Sequence, residues 1–331
     1  MAIKVGINGF GRIGRNVLRA LIEAGRDDIE VVAVNDLAPL DTNVHLFEFD
    51  SVHGRFGHPV TWGEGFMDVG RGPIRMTSER APENLPWQDV DIAMECTGIF
   101  RSVEAAGKHL ENGSGKVLIS APGKGEMKTI VYGVNHREIG AADTVVSNAS
   151  CTTNCLAPLA HALHEAFGIK RGYMTTIHAY TGDQPVHDTV HSDLYRARAA
   201  AMSMIPTTTG AAEAVGLVLP ALAGKIAGTA IRVPTPNVSC VDLVVEVSQD
   251  VTAEQINAAI ANAAQGMNGV MGVTDRPLVS IDFNHDPHSC VVALDQTAVV
   301  QGNMVRLMAW YDNEWGFCNR MLDTAAVMAR A

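Results

Sequence analysis

The sequence predicts an α/β protein of two domains. The first carries a parallel sheet; the second is of α+β type, with a largely antiparallel sheet. Three observations carry that reading. Through residue 150, short apolar runs alternate with helical patterns, the order that builds strand–helix–strand crossovers. A glycine turn, Asn8-Gly9-Phe10-Gly11-Arg12-Ile13-Gly14, joins the first run to the first helical pattern. Beyond residue 170, strand-like runs follow one another with fewer helices between them.

Bulk properties agree and exclude several function classes. A chain of 331 residues is long enough for two domains, each with a core. Mean hydropathy of +0.09 marks it as globular. A formal charge of −11 and a pI near 5.5 argue against a nucleic-acid groove or an anionic membrane surface. No apolar run reaches spanning length, and the chain begins in a polar-interrupted strand, not a signal peptide. The six cysteines form no C-x-x-C pair, so neither a zinc ribbon nor a disulfide framework is expected, and a cytoplasmic protein fits. His45, His53 and His58 lack metal-ligand spacing, so no metal is expected.

Taken in order, Ile3 to Ile7 is a strand, and Val17, Leu18, Leu21 and Ile22 mark a helix that Gly25 stops. A second strand, Ile29 to Val34, ends in Asn35-Asp36. Strand, glycine turn, helix, strand and acid make the Rossmann dinucleotide-binding unit; Asp36 lies 22 residues past Gly14. Gly9, Gly11 and Gly14 permit the tight turn and let backbone approach a pyrophosphate, which the helix N-terminus then meets with N–H groups. Asp36 accepts hydrogen bonds from ribose hydroxyls and repels a 2′-phosphate, so NAD is expected over NADP. Asp50 to Gly72 reads as loop and hairpin. Further strands are expected at Val90 to Met94 and Lys116 to Ser120, with a helix from a Ser102 cap through Leu110.

A strand from Thr144 feeds Ser147-Asn148-Ala149-Ser150-Cys151-Thr152-Thr153-Asn154-Cys155, and a helical pattern leaves at Leu156, Leu159, Ala160 and Leu163. Ser150 stands at the N-cap position and Cys151 in the first turn, where unpaired N–H groups and the helix dipole favour a thiolate. Cys155 reads as a small core residue, and Cys151 as the reactive thiol. Gly172 to His178 is the next strand, and Thr181 to Thr209 a long functional loop holding Arg196 and Arg198. Thr207-Thr208-Thr209-Gly210 before a helix suits an oxyanion or phosphate, though ordinary capping fits as well. Arg232 in an apolar run needs a partner, either a protein carboxylate or a ligand phosphate. Val241 to Val247, Cys290 to Leu294, Ala298 to Gln301 and Met304 to Tyr311 read as strands. Thr252 with Gln255 is a capping box for a helix to Ala264, and a last helix carries Phe317, Met321, Leu322, Ala325 and Met328.

Asn8-Gly-Phe-Gly-Arg-Ile-Gly-Arg15, the Ser147–Cys155 stretch, Thr207-Thr-Thr-Gly-Ala-Ala212, Arg232-Val-Pro-Thr-Pro-Asn-Val238 and Trp310-Tyr-Asp-Asn-Glu-Trp-Gly316 run in order along the chain. Together they resemble the phosphorylating glyceraldehyde-3-phosphate dehydrogenase family. The resemblance implies Cys151 as nucleophile and His178 as its base. It implies Thr181, Asp183 and Arg232 around the phosphate of glyceraldehyde 3-phosphate. Ser150, Thr152, Arg196, Thr209 and Gly210 are implied around attacking inorganic phosphate. Arg12, Ile13, Asp36, Thr97, Ser120 and Asn313 are implied as NAD contacts, Asn313 on the nicotinamide amide. It also implies a homotetramer, a catalytic domain over 151–313, and an NAD domain over 1–150 that the last helix, 314–331, rejoins. Two positions depart from the family pattern: Phe317 replaces a common tyrosine, and Thr189-Val190 replaces Leu-Pro beside the adenosine ribose.

The implied chemistry is oxidative phosphorylation of the aldehyde through a cysteine thioester. Three rivals are erythrose-4-phosphate dehydrogenase, the aspartate-semialdehyde dehydrogenase group, and a non-catalytic NAD-binding thiol redox sensor. The intact Thr207–Gly210 and Ala179-Tyr180-Thr181 segments favour the first reading over the erythrose enzyme. His178 and the two implied anion pockets argue against the sensor, and a requirement for the substrate phosphate would separate the semialdehyde group. A helix terminus contributes about 0.3–1 kcal/mol, less than one pKa unit. The larger part of the Cys151 activation is therefore expected from a His178 imidazolium.

Overall fold

A computed structural model describes residues 2–331, and the chain divides into two compact units. The first is Met1–Ser150 with Cys318–Ala331; the second is Cys151–Phe317.

The first unit is built on a nine-stranded sheet. From one edge its strands are Lys128–Thr129, Val145–Ser147, Lys116–Ile119, Ile92–Glu95, Ile3–Asn8, Ile29–Asn35 and Pro73–Thr77, all parallel. Phe66–Asp68 and Thr61–Gly63 then add an antiparallel hairpin. Ile92–Glu95 is buried along its whole length, as a parallel strand covered on both faces requires. The core groups Ala33, Leu85, Trp87, Ala93, Val117 and Ile119. The Val103–Glu111 helix is capped by Ser102, whose Oγ accepts from Ala105 N at 3.2 Å. The last helix, Trp315–Arg330, buries Met321, Leu322, Ala325 and Met328. Its residues 318–330 belong to this unit: Lys116 Nζ donates to Met328 O at 2.7 Å, and Arg26 pairs with Asp323 at 2.6 Å. Two elements have no clear period in the sequence, the Leu40–Glu48 helix and the Pro73–Thr77 strand.

The second unit has an eight-stranded, mostly antiparallel sheet. Its centre is Ile169–Ala179, antiparallel to Ser239–Val247 and parallel to Ile226–Val233. Met304–Tyr311 lies antiparallel beyond Ser239–Val247. Burial along Met304–Tyr311 alternates with a period of two, so one face is covered and the other is open. The Cys151–Phe167 helix, buried at Leu156, Leu159 and Leu163, packs against the central strands of this sheet. Thr252 and Gln255 form the capping box, and their helix runs to Gly266. Residues 180–204 contain no helix or strand before the short edge strand Ile205–Thr207.

Candidate active site

In the first unit, the strands Ile3–Asn8, Ile29–Asn35 and Ile92–Glu95 end side by side, and the glycine turn follows the first. Gly9 has φ +92°, and a Cβ there would sit 2.7 Å from Thr97 N. A Cβ at Gly14 would meet Gly9 O at 2.1 Å, so the helix packs against the turn only with glycine at this position. A Cβ at Gly11 meets nothing within 4 Å. Gly11 is also the N-cap of the Arg12–Glu23 helix and offers its first-turn N–H groups no side-chain cap. Open space above uncapped helix donors fits a pyrophosphate. Asp36 accepts from Phe10 N at 2.7 Å and Ala38 N at 2.9 Å, which fixes its carboxylate at the end of the second strand.

Behind this turn runs a chain of buried side chains with no counterpart in the sequence reading. Thr77 Oγ1 donates to Asn35 Oδ1 at 2.9 Å, Asn35 Nδ2 to Asn8 Oδ1 at 2.8 Å, and Asn8 Nδ2 to Glu95 Oε2 at 2.7 Å. Glu95 Oε2 also meets His109 Nε2 at 3.0 Å, while Oε1 accepts from Thr97 N at 2.9 Å and from the Thr97 hydroxyl. Asn112 Oδ1 accepts from Ser114, so its Nδ2 faces His109 Nδ1 at 3.4 Å. With Nδ1 an acceptor, a neutral His109 donates from Nε2. Glu95 is thus an acceptor for four donors, and it fixes both Asn8 and Thr97. Arg12 pairs with Asp50, whose carboxyl burial would raise; hydrogen bonds from Arg12 and from His53 and Val52 N–H hold it at about 2. Ser120 lies against Cys96, whose thiol burial pushes up to about 12. Ile13 is half-buried in the first helical turn.

In the second unit, Cys151 begins its helix, directly after Ser150 and after Ala149 with φ +59°. Cys151 is partly exposed as a residue, and its Sγ lies 3.5 Å from His178 Nε2. His178 is near the end of the Ile169–Ala179 strand, and its neighbour across the parallel ladder is Arg232. One nitrogen of Arg232, Nη1, reaches His178 Nδ1 at 3.0 Å, Ala179 O at 2.9 Å and Thr181 Oγ1 at 3.1 Å. The Thr181 hydroxyl donates to Asp183, which also accepts from Arg196 at 2.9 Å. Arg196 further donates to Thr207 Oγ1 at 2.9 Å and faces Asp193 at 3.7 Å. Thr209 Oγ1 accepts from Ala211 N at 3.2 Å, and Gly210 is the N-cap of the Ala211–Val218 helix. The ordinary capping that the sequence allowed is present there. Arg232 feels the charge of Asp183, and its buried Nε has no hydrogen-bond partner among the described residues.

Thr152 turns its hydroxyl to Tyr311 OH at 2.9 Å, and Tyr311 OH also meets Thr176 Oγ1 at 2.9 Å. The Tyr311 ring stands edge-on to His178, 5.9 Å between centroids. Asn313 is buried, with its Oδ1 accepting from Ser239 Oγ at 2.9 Å. Asp193, Thr176, Tyr311 and Ser239 come from separate elements, so no local sequence signal could have marked them.

Burial pushes the Cys151 thiol up, opposed mainly by Arg232 and by hydrogen bonding with Thr152. Burial, and then Arg232, hold His178 down at about 3. Burial, with the charges of Arg232 and Arg196, thus opposes the resting imidazolium expected from the sequence and favours a neutral imidazole beside the thiol. Moving the proton from Sγ to Nε2 makes opposite charges 3.5 Å apart. At an effective dielectric of about 20 their attraction is about 5 kcal/mol, or roughly 3.5 pKa units. The two groups ionise as a pair. Burial would raise Asp183, but Thr181 and the charges of Arg232 and Arg196 outweigh it and keep the carboxyl low.

Two family models match the chain. One, described as the NAD binding domain of glyceraldehyde 3-phosphate dehydrogenase, covers residues 3–103; the other, its C-terminal domain, covers 150–313. The chain is 65% identical over 331 residues to glyceraldehyde-3-phosphate dehydrogenase of Cereibacter sphaeroides, covering 100% of this chain and 99% of that one. It is 62% identical to the Xanthobacter flavus protein of the same name, at 100% and 99% coverage. The Geobacillus stearothermophilus protein of that name is 55% identical, at 99% of each chain.

Proposed function

The chain belongs to the glyceraldehyde 3-phosphate dehydrogenase family, and on that premise we propose that it oxidises D-glyceraldehyde 3-phosphate with NAD and inorganic phosphate to 1,3-bisphosphoglycerate. The observation that carries this is one contact chain: Cys151 Sγ to His178 Nε2, His178 Nδ1 to Arg232, Arg232 to Thr181. It supports Cys151 as the nucleophile, His178 as its base, and Arg232 with Thr181 as an anion site.

Cys151 gives its proton to His178 Nε2 and adds to the aldehyde carbon, and the imidazolium returns that proton to the carbonyl oxygen, forming a hemithioacetal. His178 removes the hydroxyl proton as the carbon is oxidised, leaving a thioester. NAD, when bound, accepts the hydride. Inorganic phosphate held by Arg196, Thr209, Gly210, Ser150 and Thr152 attacks the thioester carbonyl, and Cys151 leaves as the thiolate. Thr181, Asp183 and Arg232 hold the substrate's own phosphate. That dianion also offsets the guanidinium charge beside His178 Nδ1, so the ring becomes a better proton acceptor once substrate is in place. Gly9, Gly11, Gly14, Arg12, Ile13, Asp36, Thr97, Ser120 and Asn313 hold NAD. Asp36 carries the preference over NADP, and Leu37 beside it, half exposed, adds no cation for a 2′-phosphate.

The protein works as a homotetramer in the cytoplasm. Val190, Leu194, Met202 and Met204 are all at least three-quarters exposed in this single chain, which supports burial by further copies. All six cysteines are free, in keeping with a reducing compartment. Among the described residues no helix is long and apolar enough to cross a membrane.

The test is NADH formation from glyceraldehyde 3-phosphate with and without phosphate, with NAD and NADP compared, and light scattering for the oligomer. Equal turnover without phosphate or arsenate would overturn the phosphorylating reading.

A further inference from the structure

Asn237, Val238 and Ser239 form a buried clamp on the two residues Asp312 and Asn313. Asn237 Nδ2 donates to Asp312 Oδ2 at 2.9 Å and to Asn284 Oδ1 at 2.8 Å. Two residues on, Ser239 Oγ donates to Asn313 Oδ1 at 2.9 Å while accepting from Ala179 N at 3.0 Å. Val238 between them has φ +67°, a conformation that a β-branched residue adopts only under strain. Asp312 is itself held by His285 N at 2.7 Å and by Glu314 N and Trp315 N at 2.9 and 2.8 Å. Ser239 is 1% exposed and Asn313 5%.

The consequence falls on one side-chain amide. Ser239 gives its single O–H to the amide oxygen of Asn313 and accepts from Ala179 N with one of its lone pairs. Oδ1 is thereby taken up within the protein, which leaves Nδ2 of Asn313 to a ligand. The same Ala179 peptide that holds Ser239 through its N–H presents its C=O to His178 Nδ1 and Arg232 Nη1. Base, phosphate arginine, Ser239 and Asn313 thus share one peptide unit.

We propose that Ser239 is a positioning residue that fixes the Asn313 amide with its N–H groups outward, to donate to the carboxamide oxygen of the nicotinamide. This rests on the reading of Asn313 as a nicotinamide contact. Without the hydroxyl the amide turns freely, and half of its orientations present an oxygen to an oxygen.

The experiment compares binding of NAD with binding of ADP-ribose, which lacks the nicotinamide, by calorimetry on the full-length protein. Ser239→Ala should weaken NAD by about 3–10-fold, the size of one lost neutral hydrogen bond, and leave ADP-ribose within about twofold. Ser239→Thr, which keeps the hydroxyl, should bind both like the parent. Should the alanine variant not fold, Ser239→Cys keeps the volume with a weaker hydrogen-bonding group and gives the same contrast. Equal loss of NAD and ADP-ribose would mean a merely structural role and overturn the proposal. Loss of NAD in Asn313→Ala with none in Ser239→Ala would overturn it while keeping Asn313 as the contact. An unchanged ratio of the two affinities in Asn313→Ala would remove the underlying reading instead.

Discussion

At the scale of single residues, the decisive pair is Cys151 and His178, and its charge state depends on a third group. The alkylation rate of Cys151 by iodoacetamide, followed against pH, reports the thiolate. In His178→Asn the proton has no acceptor 3.5 Å away, and the thiolate must form alone against burial. The inflection should move up by more than about one unit. An unmoved inflection would leave Arg232 and the helix terminus as the source of the thiolate. Glu95 gives a second test at this scale. It accepts from Asn8, His109 and twice from Thr97, so a glutamine amide must turn its N–H groups toward donors whichever way it lies. Leaving buried donors unpaired costs about 1–3 kcal/mol. Glu95→Gln should lower thermal stability and weaken NAD binding, with little change in the Michaelis constant for inorganic phosphate; an equal rise in both constants would show a diffuse effect.

At the scale of elements, the glycine turn and the Arg12–Glu23 helix depend on a backbone contact that no side chain tolerates. Gly14→Ala would place a Cβ 2.1 Å from Gly9 O, so the helix must shift away from the turn. Loss of NAD binding by more than about tenfold is expected from the displaced phosphate donors, read by quenching of tryptophan fluorescence. The same helix start is pinned by Arg12 and Asp50. Asp50 titrates near 2 when folded against 3.8 for an ordinary carboxyl. The difference, at 1.36 kcal/mol per unit, is about 2 kcal/mol. A depressed folded pKa gives stability that is present above about pH 4 and lost as the pH falls toward 2. Thermal unfolding of Asp50→Asn should therefore fall below the parent at pH 6, with the gap closing between about pH 4 and 2. A gap that persists unchanged at pH 2 would show that packing, not charge, is what the substitution removed.

At the scale of the whole molecule, the proposed function makes substrate binding and chemistry meet at Arg232, which touches both His178 and Thr181. If the substrate phosphate tunes the base as well as holding the substrate, glyceraldehyde without its phosphate loses kcat and not only affinity. Steady-state rates with the two aldehydes should show kcat down by more than about tenfold for the unphosphorylated one. An unchanged kcat with a raised KM would confine Arg232 to binding.

The sequence by itself determined the two sheets, the glycine turn, the acid after the second strand and the thiol at a helix start. These are local features: apolar period, glycine at positive φ, a cap before a helix. It also placed the motifs that match the family in chain order. The Leu40–Glu48 helix and the Pro73–Thr77 strand escaped because neither carries a clear period or terminal signal. Only the tertiary structure decided that Arg232, 54 residues from His178, is the cation against its ring. It alone joined Glu95 to Asn8 across 87 residues, and Tyr311 to Thr152 across 159. Such contacts are set by strand register and sheet order, and a side chain's protonation by whatever that register brings beside it. Chain spacing encodes neither, which is why the helix start at Cys151 was legible in the sequence while the cation beside His178 was not.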